Sequence, residues 1–190
     1  MDILETKRHL LRTMTPDDFP ALCAILQDPE VMYAYEHAFS DAKTKDWLDR
    51  QMHRYAHDGF GLWAMIRKSD GEFIGQCGIT MQECGNERVP EIGWLLRRDC
   101  WHQGHASEAA MACRAYAFER LGFSEVFSII RDTNTASACG TTDRHDAALH
   151  LDQALLRHRH AAHRLLHQKM IDNRAEMSSF RPFCQMKRNR

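Results

Sequence analysis

Three neighbouring stretches decide the fold of this chain: residues 91–96 (EIGWLL), 101–122 (WHQGHASEAAMACRAYAFERLG) and 125–131 (EVFSIIR). The first and third are short apolar runs typical of strands. The middle stretch predicts a glycine-containing turn at Trp101–Ala106 and a helix from Ser107 to Leu121 that stops at Gly122. A strand, a helix and a second strand in this order predict a right-handed parallel crossover.

The residues before this unit predict a strand, two helices and two more strands. Residues 5–14 carry strand-like alternation, and the acids and proline of residues 15–18 (TPDD) predict the start of a helix that ends before Asp28-Pro29. A second helix is predicted from Ser40 to about Asp58-Gly59. Residues 61–66 and 72–79 read as antiparallel strands, because Asp70-Gly71 between them is a hairpin-turn signal.

This order of elements predicts the fold class, an α/β (α+β) sandwich with a mixed, largely antiparallel sheet flanked by helices. Residues 82–88 are expected to form a polar loop. Gly93 is a candidate β-bulge or a point where another group approaches the strand closely.

Length, composition and charge narrow the class of protein. A chain of 190 residues with 44% apolar and 27% charged residues is expected to form one globular domain. The net charge of −1 gives no general attraction to nucleic acid or to an anionic membrane, so neither is expected as a partner. The chain has no membrane-length apolar run and no signal-peptide pattern at its start, which favours the cytoplasm. None of the seven cysteines forms a CxxC pair, so we expect reduced thiols and no metal site.

The turn before the long helix is the candidate binding site. Small residues at Gly104 and Ala106 leave main-chain N–H groups open at a helix N-terminus, where the helix dipole favours an anion such as a pyrophosphate. A glycine at a strand–helix junction is also ordinary turn chemistry, so spacing alone leaves both interpretations open.

Five segments, taken in order, resemble the GNAT family of acetyl-CoA-dependent N-acetyltransferases, and within it the branch of ribosomal-protein-alanine acetyltransferases. They are residues 4–32 (LETKRHLLRTMTPDDFPALCAILQDPEVM), 61–79 (GLWAMIRKSDGEFIGQCGI), 91–96 (EIGWLL), 101–109 (WHQGHASEA) and 134–137 (NTAS). Trp101 departs from the family pattern, which often has Gln or Arg at that position. The resemblance is therefore carried by residues 1–137, which we interpret as an incomplete GNAT domain.

The resemblance implies a position for acetyl-CoA, the co-substrate of this family. It would lie in a V-shaped opening between the strand Glu91–Leu96 and the strand Glu125–Arg131, with Asn134 near its pantetheine. The backbone of Leu95 and Leu96 would hold the pantetheine. The pyrophosphate would be held by the amides of His102, Gln103, Gly104, His105, Ala106 and Ser107.

The implied chemistry is attack of an amine on the thioester, helped by a base that removes a proton from the ammonium group. Glu91 is the candidate base, acting through a water molecule, although a solvated carboxylate at a strand end is an equally good interpretation. Asn134 can alternatively be a turn residue that bonds its own backbone. His102 and His105 are expected to be surface imidazoles. The acceptor pocket is expected within Met32–Arg54, and Trp47, Trp63 and Trp94 are expected to line the core or a substrate pocket.

The composition changes after Ser137. Residues 138–169 contain no Glu and six of the twelve His of the chain, and His160, His163 and His167 would share one face of a helix. Three interpretations of residues 138–190 compete: a metal-binding or regulatory helix, a basic helix that binds nucleic acid, and translation in a shifted reading frame.

The genetic code allows the shifted frame to be tested. In the shifted frame, each new codon consists of bases two and three of one codon and base one of the next. With free choice among synonymous codons, this frame permits the peptide KHYYGIDMPHIVYCIKR from residue 153 onwards. The peptide resembles the final strands of the family. Met170-Ile171 forces a stop codon, TGA, in that frame. We therefore expect a small insertion or deletion near the codons for Ser137-Ala138, and a non-native tail over residues 138–190. The C-terminal strands would then be missing and the strand Glu125–Arg131 would have an exposed edge.

Three functions follow from these observations. The first is acetyl transfer from acetyl-CoA to a primary amine, either a protein N-terminus or a small molecule. The alternative is an inactive or binding-only remnant that keeps the pyrophosphate turn. A His-rich metal-binding protein is the third.

Overall fold

The computed structural model describes residues 1–35, 37–84, 87–131 and 165–170. Within these residues one seven-stranded sheet is flanked by three α-helices. The strands are β1 (Asp2–Glu5), β2 (His9–Arg12), β3 (Leu62–Arg67), β4 (Phe73–Cys84), β5 (Glu87–Leu96), β6 (Val126–Arg131) and β7 (Leu165–Met170). The helices are α1 (Phe19–Leu26), α2 (Asp41–His57) and α3 (His105–Glu119).

Each strand pairs with its neighbour in the chain, and every pair is antiparallel except β5 with β6. The parallel pair is the one joined through α3, as the crossover pattern predicts. The predicted fold class, a mixed and mostly antiparallel sheet flanked by helices, is confirmed.

The helices cover opposite faces of the sheet. Alternate side chains of β3 show the division: Trp63 and Met65 pack in the core beneath α3, whereas Leu62 and Ala64 pack in the core beneath α1 and α2. Trp63 is fully buried and meets Tyr116 of α3 edge to face, with ring centroids 5.4 Å apart. Trp63 is therefore a core residue, one of the two roles expected for it.

The first predicted strand is divided into a hairpin. Residues 5–14 were expected to form a single strand, but β1 and β2 are separated by a turn in which the Thr6 N–H donates to the His9 carbonyl at 2.8 Å. The Thr6 hydroxyl also accepts from the His9 N–H at 2.9 Å. A threonine that bonds the backbone three residues ahead favours a turn over a continuous strand.

The prediction of a polar loop at residues 82–88 is wrong. β4 and β5 extend as a hairpin through the pairs Gln82↔Val89, Glu83↔Arg88 and Cys84↔Glu87. Glu83 and Arg88 form an ion pair across it at 3.3 Å, so polar residues here occupy the solvent side of paired strands. Gly93 shows no bulge, because the β4–β5 register is continuous from Gly75↔Leu96 to Cys84↔Glu87.

The close approach expected at Gly93 is found at Gly78, its cross-strand partner. A Cβ on Gly78 would lie 2.1 Å from the Gly61 carbonyl oxygen. By contrast, a Cβ on Gly93 would lie 3.6 Å from its nearest neighbour, which is an ordinary contact. The missing side chain at Gly78 therefore lets the segment before β3 lie directly on the sheet.

The prediction that the sheet lacks its C-terminal strands is wrong for the strand next to β6. β7 pairs antiparallel with all of β6, from Val126↔Met170 to Arg131↔Leu165. An unpaired edge of β6 would leave a row of N–H and C=O groups without partners, and an extended segment satisfies them. The other residues after 131 lie outside the described residues.

No helix in the described part of the chain is long and apolar enough to cross a membrane. The same residues contain no group of three or more His, Cys, Asp and Glu side chains that could hold a metal ion. Five of the six histidines of residues 138–169 lie outside the described residues.

Candidate active site

The opening between β5 and β6 begins at Glu91. The two parallel strands share one register pair, Glu91↔Phe127, and their described residues form no further pair beyond it. β4 occupies the other edge of β5 along its full length. The main chain of residues 92–96 therefore faces a gap in the sheet, and this stretch includes Leu95 and Leu96.

Trp101 connects this gap to the turn that follows. Its indole N–H donates to the Leu96 carbonyl at 3.0 Å, and its ring packs against the core on both sides of the sheet. The Leu96 carbonyl oxygen therefore uses one of its two lone pairs in a hydrogen bond within the protein. The residue that departs from the family pattern thus anchors the end of β5 to the start of the turn.

The turn from His102 to Gly104 leads directly into α3. His102 and Gly104 both have positive φ angles, 58° and 74°, and all three turn residues are exposed. Gly104 is the N-cap residue of α3 and has no side chain, and no other side chain among the described residues caps this helix. The first N–H groups of the helix, those of residues 105–107, therefore point outward without a capping acceptor. Such a helix N-terminus attracts an anion.

His105 is not the surface imidazole that the sequence suggests. It is 5% exposed, and its Nδ1 lies 2.8 Å from Nε2 of His9, which is fully buried on β2. Burial lowers the pKa of His105, and it lowers the pKa of His9 to about 4, so both rings are neutral near pH 7. His102, in contrast, is exposed as expected.

The neighbouring hydrogen bonds determine which nitrogen of each ring carries the proton. The Thr6 hydroxyl donates to Glu108 Oε1 at 2.7 Å, so it must act as an acceptor toward His9 Nδ1 at 3.2 Å. His9 therefore carries its proton on Nδ1, and its Nε2 accepts from His105 Nδ1. The result is a chain of donors that runs from His105 through His9 and Thr6 to the Glu108 carboxylate. We call these four residues the relay.

Arg8 completes the connection between the β1–β2 turn and α3. Its Nε donates to Glu108 Oε2 at 2.5 Å, and its main-chain N–H donates to Glu108 Oε1 at 2.9 Å. Its Nη1 donates to the Gln103 carbonyl at 2.9 Å. Although burial raises the pKa of Glu108, the bonds from Thr6 and Arg8 outweigh it and lower that pKa to about 2.

Glu91 lies on the opposite face of the sheet from α3. It is half-buried, stands opposite Thr80 on β4, and shares its environment with Tyr35 and Arg54. The pKa of Tyr35 is raised to about 12 by desolvation around the Tyr35 hydroxyl group and by the nearby Glu91 carboxylate. Burial lowers the pKa of Arg54, while Glu91 is among the groups that favour its charged form.

An aromatic cluster adjoins this carboxylate. Tyr35, Phe39 and Trp47 meet edge to face, with ring centroids 5.8–6.3 Å apart. The Trp47 indole donates to Gln76 Oε1 at 3.0 Å, and the Arg50 guanidinium lies 5.4 Å from the Trp47 ring centroid. The cluster falls within the segment Met32–Arg54, where the acceptor pocket is expected. Trp94 packs partly buried against the core beneath α3.

Most of the predicted site residues lie together in the structure. Glu91, Leu95 and Leu96 line the gap of the sheet, and residues 102–107 form the turn and first helical residues at its end. Asn134 lies outside the described residues. The sequence reasoning missed Thr6, Arg8, His9, Glu108 and Tyr35. Only Glu108, an acid in the first turn of a helix, carried a local signal.

An opening between two parallel strands, with an uncapped helix N-terminus at its end, is typical of proteins that bind a phosphate-bearing coenzyme. The acetyltransferase (GNAT) domain model matches residues 8–139. The chain belongs to the GNAT acetyltransferase family and is an acetyltransferase that uses acetyl-CoA.

Relatives and solved structures agree with this assignment. The chain is 37% identical over 135 residues to the YkkB protein of Bacillus subtilis (strain 168), covering 70% of this chain and 78% of YkkB. It is 32% identical over 139 residues to the N-acetyltransferase p20 of Bacillus licheniformis, covering 72% and 78%. An acetyltransferase from Agrobacterium tumefaciens str. C58 superposes with a TM-score of 0.74 at 26% identity, over 90% and 95% of the two chains.

A more distant structure shares the fold. It is the ribosomal L7/L12 alpha-N-protein acetyltransferase RimL in complex with coenzyme A. It superposes with a TM-score of 0.69 at 18% identity, over 90% of this chain and 98% of RimL.

Proposed function

We propose that this acetyltransferase transfers the acetyl group of acetyl-CoA to a primary amine, either a small molecule or a protein N-terminus. The observation that carries the proposal is the opening of the sheet after Glu91, with the uncapped N-terminus of α3 at its far end. The amides of residues 102–107 would hold the pyrophosphate, and the main chain of Leu95 and Leu96 would hold the pantetheine. The exposed turn and the glycine at the N-cap of α3 fit a diphosphate.

When bound, acetyl-CoA supplies the thioester whose carbonyl carbon the amine attacks. Glu91 would accept the proton that the ammonium group must lose, through a water molecule, because only a neutral amine has the lone pair needed for attack. Its position where β5 and β6 part supports this role. Tyr35 stays protonated beside it at neutral pH, since its pKa is about 12, so it can donate a hydrogen bond to the bound acceptor.

The acceptor would enter over the cluster of Tyr35, Phe39 and Trp47. The Glu91 carboxylate would attract an approaching ammonium group, whereas the rings of Trp47 and Phe39 already carry the cations of Arg50 and Lys43. The relative RimL, named for acetylation of the N-terminus of ribosomal L7/L12, is consistent with a protein N-terminus as one form of this amine.

Two measurements test this proposal. Isothermal titration of the purified chain with acetyl-CoA should show saturable binding. Thiol release should then be followed with ribosomal-protein peptides, polyamines and aminoglycosides as acceptors. Release with one class identifies the acceptor, whereas saturable binding without release from any class supports the alternative, a binding-only remnant. Absence of both heat and a thermal shift with acetyl-CoA contradicts the proposal.

A second proposal concerns the altered composition after Ser137. We propose that residues 1–137 form the GNAT domain and that residues 138–190 are translated from a shifted frame. The support is the forced stop codon at Met170-Ile171 and the permitted family-like peptide before it. Sequencing the gene across the codon for Ser137 tests this directly. An intact reading frame at that codon would reject the frameshift.

A further inference from the structure

The guanidinium of Arg8 lies against the turn that precedes α3. Its Nη1 donates to the Gln103 carbonyl at 2.9 Å, and its Nη2 would lie 3.5 Å from a Cβ placed on Gly104. The Arg8 side chain is 39% exposed, so one side of the guanidinium faces solvent. A cation from the β1–β2 turn is thus placed beside the uncapped end of a helix far away in the chain.

The contacts of Arg8 leave one nitrogen available. Nε is bound to Glu108 Oε2 and Nη1 to Gln103, whereas Nη2 has no acceptor among the described residues. The guanidinium is planar and rigid, so fixing Nε and Nη1 also fixes the direction of the Nη2 hydrogens. Two protein contacts therefore orient the free nitrogen without occupying it.

Glu108 orients this guanidinium and is itself held by the relay. Its Oε1 accepts from the Thr6 hydroxyl and from the Arg8 main chain, and Thr6 is bound in turn to the buried pair of His9 and His105. Because His105 is the first residue of α3, the relay joins the helix N-terminus to the β1–β2 turn. Arg8 and the helix amides are thereby kept in one arrangement.

The charges at this position also require Arg8. The carboxylate of Glu108 lies in the first turn of α3, where it would repel an anion that approaches the helix N-terminus. Arg8 pairs with it at 2.5 Å and cancels that repulsion. Arg8 therefore makes the turn more favourable for an anion than Glu108 alone would.

We propose that Arg8 binds a phosphate group of acetyl-CoA through Nη2, and that Glu108, Thr6, His9 and His105 are positioning residues that hold Arg8 on the turn. The proposal rests on the coenzyme site described under the proposed function. The phosphate belongs either to the diphosphate or to the 3′-phosphate of the coenzyme, and both offer the same oxygen acceptors.

The test compares Arg8→Gln with the unaltered protein on three acetyl donors: acetyl-CoA, its 3′-dephospho form, and S-acetyl-pantetheine, which has no phosphate. With acetyl-CoA the variant should show a KM raised by about tenfold or more at unchanged kcat, because a charge-assisted hydrogen bond is lost. With S-acetyl-pantetheine the variant and the unaltered protein should have equal kcat/KM. Arg88→Gln is the matched control, since it removes an arginine that is paired with Glu83 at the end of the β4–β5 hairpin away from the turn.

The dephospho donor identifies the phosphate. If Arg8 binds the 3′-phosphate, the variant and the unaltered protein will have the same KM for this donor. If Arg8 binds the diphosphate, the variant will show the raised KM with both nucleotide donors.

Two further variants separate binding from folding. Arg8→Lys keeps the charge but loses the planar guanidinium with its several N–H donors. Its KM for acetyl-CoA should therefore fall between those of the unaltered protein and Arg8→Gln. Thr6→Val removes the relay bond to Glu108 and should raise the same KM by about twofold to threefold at unchanged kcat. If Arg8→Gln does not fold, these two variants on the same three donors decide the proposal.

Equal losses on acetyl-CoA and S-acetyl-pantetheine, or no change on acetyl-CoA, would overturn the proposal and leave the coenzyme site intact. Failure of the unaltered protein to bind acetyl-CoA would instead overturn the proposed function. The two failures are therefore distinguishable.

Discussion

The ion pair between Glu108 and Arg8 should make the stability of this protein depend on pH in a defined window. Thr6 and Arg8 hold the pKa of Glu108 at about 2, compared with its ordinary value of 4.5. At about 1.4 kcal/mol per pKa unit, the ionised carboxylate stabilises the fold by about 3 kcal/mol near neutral pH. The Glu108 side chain is 22% exposed and the Arg8 side chain 39% exposed, so solvent screens part of this contribution and about 3 kcal/mol is its upper bound.

The sign follows from the direction of the pKa change. The folded protein holds the carboxylate ionised at pH values where the unfolded chain has already protonated it. The contribution is therefore complete above about pH 5, and it is lost as the pH falls through 4.5 toward 2.

The perturbation is Glu108→Gln. The amide keeps an oxygen that can accept from Thr6 but loses the charge that faces Arg8, so we expect a loss of about 2 kcal/mol in the free energy of unfolding near pH 7. The measurement is urea unfolding followed by tryptophan fluorescence at about pH 7, 5 and 3. The difference between the two proteins should be equal at pH 7 and 5 and should fall to about half near pH 3.

Glu119→Gln is the control, because Glu119 is an exposed carboxylate on the same helix. It should change the free energy of unfolding by less than about 0.5 kcal/mol at each pH. A Glu108→Gln difference that is as large near pH 3 as near pH 7 would refute the electrostatic reasoning. A difference near zero at pH 7 would refute the ion pair itself.

Three other predictions test the site and the sheet. Glu91→Gln should lower kcat by about 100-fold or more and leave the Kd for acetyl-CoA unchanged, because a base acts on the acceptor and not on coenzyme binding; an unchanged kcat would remove Glu91 from the chemistry. Gly104→Val should weaken acetyl-CoA binding measured by calorimetry, since a β-branched residue at a φ of 74° costs about 1–2 kcal/mol in this turn; equal affinity would show that the turn does not contact the coenzyme. Gly78→Ala should lower Tm strongly, because its Cβ would lie 2.1 Å from the Gly61 carbonyl, whereas Gly93→Ala, whose Cβ has 3.6 Å of space, should not; similar melting of the two variants would contradict the packing described here.

Local sequence patterns were sufficient for the three helices and for the order of strands β3 to β6. The hairpin signal Asp70-Gly71, the Ser40 cap of α2 and the strand–helix–strand unit at residues 91–131 all appear in the structure as predicted. Each of these patterns depends on residues within a few positions of one another, so neighbouring residues alone specify it. The predicted start of α3 at Ser107 was two residues late, which is the usual uncertainty of helix ends.

The same patterns failed where a segment gains its partner from elsewhere. Residues 82–88 are polar enough for a loop, yet pairing with the opposite strand extends both β4 and β5 through them. The edge of β6 was expected to be exposed, but a segment more than 30 residues further along the chain pairs with it. Hydrogen bonds between strands compensate for a weak local preference, and sequence-local reasoning does not include them.

The sequence alone thus determined the central strands, the crossover and the exposed turn at Gly104, because backbone geometry and hydrophobic periodicity specify them. Only the tertiary structure brought His9 within 2.8 Å of His105, 96 residues away, and placed Arg8 on Glu108, 100 residues away. Contacts of this kind depend on the register of the sheet and the rotation of α3 above it. No property of either residue by itself encodes that geometry, so the surroundings of the coenzyme turn could be read only from the folded chain.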